Sequence, residues 1–243
     1  MEARNASVAI VGAGDFIGAA IARRFAAEGY AVHGGRRQGD KLADLAAEIA
    51  ATGGRFTGHT LDARTEEGIT AFLDTAEADA PLEAVIFNVG ANVNFPLLET
   101  TERVFRKVWE MACYGGFLAG REAARRMLPR GQGSIFFTGA TASVRGGKGY
   151  AAFASAKAGL RATAQAMARE LGPQGIHVAH LIIDSGVDTA WVRGMMASRG
   201  VEEVPPDTLM DPASIAETYW QLHRQPRDAW THELDLRPFG ESW

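Results

Sequence analysis

A single cysteine, Cys113, stands in 243 residues, so no internal disulfide framework is available to this chain. Its setting, WEMACYGG, reads as a packed helix position rather than an activated thiol. Apolar runs are short as well. None approaches the roughly 18 residues a membrane-spanning helix needs. The start, MEARNASVAIVGAG, lacks the charged, apolar and small-residue succession of a secretory leader. Positive charge is not in excess: 25 Lys and Arg against 29 Asp and Glu leave a net charge of -4, with no basic patch for a nucleic acid. His33, His59, His177 and His180 lie on or beside apolar runs without the spacing of a ligand cluster, so no metal site is expected. These absences predict a soluble, cytoplasmic protein with neither a nucleic-acid nor a membrane partner.

What is there is core material and alternation. Hydrophobic residues make up 47% of the chain, enough for a large core, and 22% charged residues argue against disorder. Apolar runs bounded by turn residues alternate with helical stretches: SVAIVG, FIGAAIARRFAAEG, YAVHGG, DKLADLAAEIAATG, RFTGHTL and EEGITAFLDTAEA. LEAVIFNVG, GSIFFTG and IHVAHLII read as further buried strands, and the end, AWTHELDLRPFGESW, as a seventh. Such alternation predicts one doubly wound α/β domain over residues 1–243, a seven-stranded, mostly parallel sheet with helices on both faces. No linker or repeat interrupts it. Residues 184–212, where Gly, Pro and charge break a short apolar helix, read as a flap, with Trp191, Met195 and Met196 either covering a substrate or packing in the core.

The first strand runs into GAGDFIG, with glycines at 12, 14 and 18, and then into a helix beginning near Ile17. Glycines there allow a tight turn, a close approach of pyrophosphate to the helix amides, and close helix–strand packing. The flanking strand and helix supply the context that turns a weak motif into a dinucleotide site. An acid at the end of the second strand would bind a ribose 2′-hydroxyl. The chain has Gly34 and Gly35 there, then Arg36 and Arg37, which favours NADP(H) over NAD(H).

Together these stretches resemble the short-chain dehydrogenase/reductase superfamily over almost the whole chain. GAGDFIG resembles its TGxxxGxG turn, Phe16 replacing the middle glycine; Leu61–Asp62, followed by Ala63, matches the acidic step near the adenine; NVGA at 88–91 matches NNAG. GPQGIHV resembles the run into the family's sixth strand, and Lys157 falls on the lysine of YxxxK. The resemblance implies cofactor contacts from Gly12, Gly14, Asp15, Phe16, Ile17, Gly18, Arg36, Arg37, Asp62, Ala63, Asn88, Val89, Gly90, Lys157, Val187 and Thr189. Lys157 is implied to hydrogen-bond the nicotinamide ribose.

The same resemblance exposes three substitutions. The family's proton-donating tyrosine falls on Phe153, its serine on Ala140 and its helix-borne asparagine on Ala112; its Pro-Gly after the sixth strand is also replaced, by the IDSGVDT segment. Two readings follow. In one, replacement groups do the proton work beside Lys157: Tyr150 at the helix entrance, or Thr141, Ser143 and Asp184 from adjacent loops. In the other, the protein binds NADP without turning it over, as a structural partner or sensor. Asn92, Asn94 and Phe95 sit where a loop leaves the fourth strand and are expected to line a pocket for a small carbonyl or alcohol substrate. The alanine-rich helix over 151–171 would let another helix approach closely, and the family pairs this helix between subunits, so a homodimer or homotetramer is expected.

Overall fold

In the computed structural model of the protein, described for residues 3–198, 200–201 and 203–241, the apolar runs become seven parallel strands. They are β1 (Ser7–Val11), β2 (Ala31–Arg36), β3 (Arg55–Thr60), β4 (Leu82–Phe87), β5 (Gly133–Thr138), β6 (Ile176–Ile183) and β7 (Glu233–Leu236), in the spatial order β3-β2-β1-β4-β5-β6-β7. The helices are α1 (Ile17–Ala26), α2 (Ala43–Ala51), α3 (Glu66–Asp79), α4 (Glu102–Trp109), α5 (Gly115–Met127), α6 (Ala151–Leu171), α7 (Ala190–Ser198) and α8 (Pro212–His223).

Successive strand residues face opposite sides of a sheet. In β1 this sends Val8 and Ile10 into a core under α1, α2 and α8, and Ala9 and Val11 into a second core under α3, α5 and α6. Both faces are therefore covered, which is why these strands read as continuous apolar runs. Thr65, Thr101 and Asp211 cap α3, α4 and α8 with their side-chain oxygens. No side chain caps α1, whose first turn opens toward the carboxyl ends of the strands.

The chain builds outward from β1 to β2 and β3, then returns to place β4 on the other side of β1. That reversal opens a crevice above β1 and β4, the usual ligand position in such sheets. Of the expected flap, Val187 bridges to Met210 as a short parallel pair, and Ala190–Ser198 forms α7. Arg199 and Glu202 within that segment lie outside the described residues. Trp191 is 64% exposed and, like Met195 and Met196, does not line the crevice.

Candidate active site

A cleft of about 790 Å³ occupies the crevice, lined by residues from β1 through the loop after β6. Its floor is the turn between β1 and α1. Gly12 has φ +94, and a Cβ there would lie 2.7 Å from the Asn88 carbonyl oxygen; Gly18 presses on the Gly12 carbonyl just as closely. Asn88 fastens the turn from the far side, its Nδ2 donating to the Gly12 carbonyl at 3.0 Å. Gly14 and Gly90, by contrast, face open space, with nothing within 4 Å of a Cβ on either. Bare glycine backbone beside an uncapped helix start suits a pyrophosphate, so the residues present suit a dinucleotide.

At one end of the cleft lie Arg36, Arg37, Asp62, Ala63 and Arg64. A Cβ at Gly34 would lie 2.5 Å from the Phe56 ring and one at Gly35 2.5 Å from a Leu61 methyl, so a carboxylate there would require those side chains to move. Arg36 donates to Asp15 at 2.6 Å, while Arg37 is exposed at the cleft edge. Arg64 grips Asp62 with its Nε and Nη2, and these bonds hold the Asp62 carboxyl below its ordinary value. Arg64 was absent from the sequence expectations. Its place directly after the Asp62–Ala63 pair is the signal that could have found it.

In the middle of the cleft, Lys157 reaches inward from α6, only 3% exposed. Its Nζ donates to the Thr138 carbonyl at 2.8 Å and the Val89 carbonyl at 3.2 Å. The ammonium lies 5.9 Å from the centre of the Phe153 ring, one helical turn earlier. Burial pulls the Lys157 ammonium down to about 8. A lysine on a small, apolar helix is thus a buried cation held by two carbonyl oxygens and facing a cavity.

Beyond Lys157, the residues considered for proton work separate. Tyr150 and Thr141 line the cleft; Ser143 and Asp184 do not. Ser143 turns inward, its Oγ accepting from the Ala140 amide at 3.1 Å and lying 3.4 Å from His180 Nε2. His180 in turn meets Glu233 at 3.2 Å, and burial drives its imidazole down to about 4. Asp184 is the buried partner of three groups: Thr141 Oγ1 donates to it at 2.5 Å, Arg145 at 3.3 Å, and Arg237 pairs with it at 2.6 Å. The neighbours Ile183 and Ser185 face the cleft, so the alternation of extended chain explains why Asp184 faces away.

Asp15, Phe16, Ile17, Val187 and Thr189 also line the cleft, Thr189 while capping the start of α7 through its Oγ1. Ala112 sits in a single π-helical turn, Glu110–Tyr114, between α4 and α5. Its neighbour Met111 lines the cleft, unexpected from sequence. Asn92 lines it too. Asn94 instead donates to the Lys148 carbonyl at 3.0 Å, and the Phe95 amide donates to the Gly149 carbonyl at 2.9 Å, tying the loop after β4 to the loop before α6. Arg145 was also missed, although it is the sole charge in TASVRGG. Among the described residues no group of three or more His, Cys, Asp or Glu is placed to hold a metal.

Comparison with known proteins identifies the family and the fold. Residues 6–199 match the family model described as short chain dehydrogenase. A solved structure of a short-chain dehydrogenase from Rhodopseudomonas palustris is 61% identical, covers 97% of this chain and 100% of its own, and superposes with a TM-score of 0.85. The 3-oxoacyl-[acyl-carrier-protein] reductase MabA of Mycobacterium avium is 30% identical over 190 residues, 78% of this chain and 70% of that protein. An alcohol dehydrogenase from Thermococcus sibiricus, solved with 5-hydroxy-NADP, is 26% identical with a TM-score of 0.83, covering 98% of each chain.

Proposed function

The chain belongs to the short-chain dehydrogenase family, and on that premise we propose that it is an NADP(H)-dependent oxidoreductase acting on a small carbonyl or alcohol substrate with a substituted catalytic set. The observation that carries the reading is Lys157, buried in the same cleft as the glycine turn with its ammonium on two carbonyl oxygens. The bound nicotinamide supplies the hydride. The protein's part is to bind, orient and protonate. Gly12, Gly14 and the start of α1 receive the pyrophosphate; Arg37, with Arg36 and Arg64 beside it, favours a 2′-phosphate; Lys157 holds the ribose; Val187 and Thr189 border the nicotinamide.

Reduction needs a proton on the carbonyl oxygen as hydride reaches the carbon. Thr141 has its hydroxyl committed to Asp184, and Ser143 and Asp184 face away from the cleft. Tyr150, at the entrance to α6, then donates the proton, with the Lys157 ammonium in the same cleft. A second copy of the chain completes the molecule, as a homodimer or homotetramer: Phe105, Trp109 and Phe117 form an exposed aromatic stripe on α4 and α5, near the alanine-rich α6.

The buried Phe153, 7% exposed and without a proton to give, favours the second reading, a cofactor-binding protein without turnover. Tyr150→Phe separates the two. With a panel of aldehydes and ketones and NADPH, the expected outcome is a fall in turnover of about 10²-fold or more with NADPH affinity unchanged, as for a group acting in the transition state. Absence of hydride transfer by wild type across the panel, with NADPH bound, supports the binding protein instead.

A further inference from the structure

The substrate end of the cleft carries a cation that the cofactor reading does not use. Arg145 lies in the loop between β5 and α6, lines the cleft beside Gly146, Gly147 and Tyr150, and is 53% exposed at its side chain. Arg36 and Arg37 lie at the end of β2, three strand positions away from β5 in the sheet. Neighbouring strands are about 4.8 Å apart, so roughly 14 Å separates β2 from β5 within the sheet. Arg145 thus follows a strand on the other side of β1 and β4 from the arginines assigned to the phosphate.

Its own pairing is slight. Asp184 receives Thr141 at 2.5 Å on Oδ1 and pairs with Arg237 at 2.6 Å through Oδ2, while Arg145 approaches Oδ1 at 3.3 Å, at the weak end of hydrogen bonding. Asp184 is 1% exposed and faces away from the cleft, so it fixes the direction of Arg145 without covering it. A guanidinium has five N–H donors in a planar fork that matches two oxygens of one carboxylate. One contact with Asp184 leaves most of that fork for a ligand. Among the described residues, the acids that line the cleft are Asp15, against Arg36, and Asp62, against Arg64, both at the other end. The same cleft is also lined by the apolar side chains of Met111, Ala142, Phe153 and Val187.

Resting on the oxidoreductase reading of the same cleft, we infer that Arg145 anchors a carboxylate of the substrate, so that the protein acts on oxo or hydroxy acids in preference to neutral ketones and alcohols. The reacting carbon lies by Lys157 and Tyr150, the apolar body of the acid runs past Met111 and Val187, and the carboxylate ends on Arg145. Asp184 acts through Arg145 as a positioning residue.

The test begins with NADPH alone, titrated by its fluorescence; failure to bind defeats the dinucleotide reading and is recognised before any acid is added. Levulinate and its longer straight-chain oxo homologues, each against its methyl ester, are then titrated into the NADPH complex. Binding is read from the bound NADPH fluorescence and hydride transfer from loss of reduced-nicotinamide absorbance. At least one acid is expected to bind about tenfold or more tightly than its ester, since a charge-assisted contact is lost in the ester. Arg145→Gln should abolish that difference and Arg145→Glu reverse it, both with NADPH affinity unchanged, while Arg145→Lys keeps part of it. The proposal is overturned if no acid in the series outbinds its ester, or if the preference for the acid survives in Arg145→Gln.

Discussion

Lys157 concentrates the account at the scale of one residue. Its folded-state value of about 8 lies below the ordinary 10.5, because burial disfavours the charged form. The folded chain therefore gives up this proton earlier than the unfolded chain does. Below about 8 both states carry the charge and the folded state bears the cost of burying it; between 8 and 10.5 that cost is progressively relieved as pH rises. Lys157→Met keeps the length of the side chain without the charge. It is expected to leave the urea midpoint at neutral pH equal or higher, to remove the gain in stability between pH 8 and 10.5, and to weaken NADPH binding by about tenfold or more. Denaturation across pH and a fluorescence titration check the two halves; a midpoint that collapses would make Lys157 a structural pin instead.

At the scale of the element, the turn between β1 and α1 separates glycines that serve packing from those that serve a ligand. A Cβ at Gly18 would lie 2.5 Å from the Gly12 carbonyl oxygen and 2.8 Å from Ala13 Cα, backbone atoms with little room to give. Gly18→Ala should cost about 1–3 kcal/mol of stability. Gly14→Ala meets nothing in the fold, so stability should change by no more than about 1 kcal/mol, while the added methyl enters the space assigned to the pyrophosphate and lowers NADPH affinity. Chemical denaturation beside NADPH titration distinguishes the pair, and equal behaviour of the two variants would contradict the assignment. This element was legible in the sequence because a strand, a glycine spacing and an amphipathic helix are local signals. Ser143 and Asp184 were not placed correctly relative to the cleft by counting alone. Which way a side chain turns in a tight loop depends on partners distant in sequence: His180 for Ser143, Arg237 for Asp184. For Asp184 the alternation along IIDS could have served, since Ile183 and Ser185 flank it on the cleft side.

For the whole molecule, the seven-stranded parallel sheet was readable from alternation, because a parallel sheet covered on both faces needs continuous apolar strands joined by helices; the spatial order of the strands was not. Nor was the charge map of the cleft. Arg36 and Asp15 are 21 residues apart, and Asp184 collects Thr141 and Arg145 from the loop after β5 and Arg237 from the end of β7. On the proposed reading those pairings leave Arg37 for the adenosine end of the cofactor, Lys157 for its ribose and Arg145 for the substrate, so the cleft would take a ligand with negative charge at the adenosine phosphates and a sugar at its middle. Titration of the wild-type protein with NADPH and, separately, with NADH, following nicotinamide fluorescence, tests this most directly. The expected result is saturable binding of both, with NADPH about tenfold or more the tighter, since Arg37 and its neighbours meet the extra phosphate with charge-assisted hydrogen bonds. Saturation by neither nucleotide, or tighter binding of NADH, would contradict it.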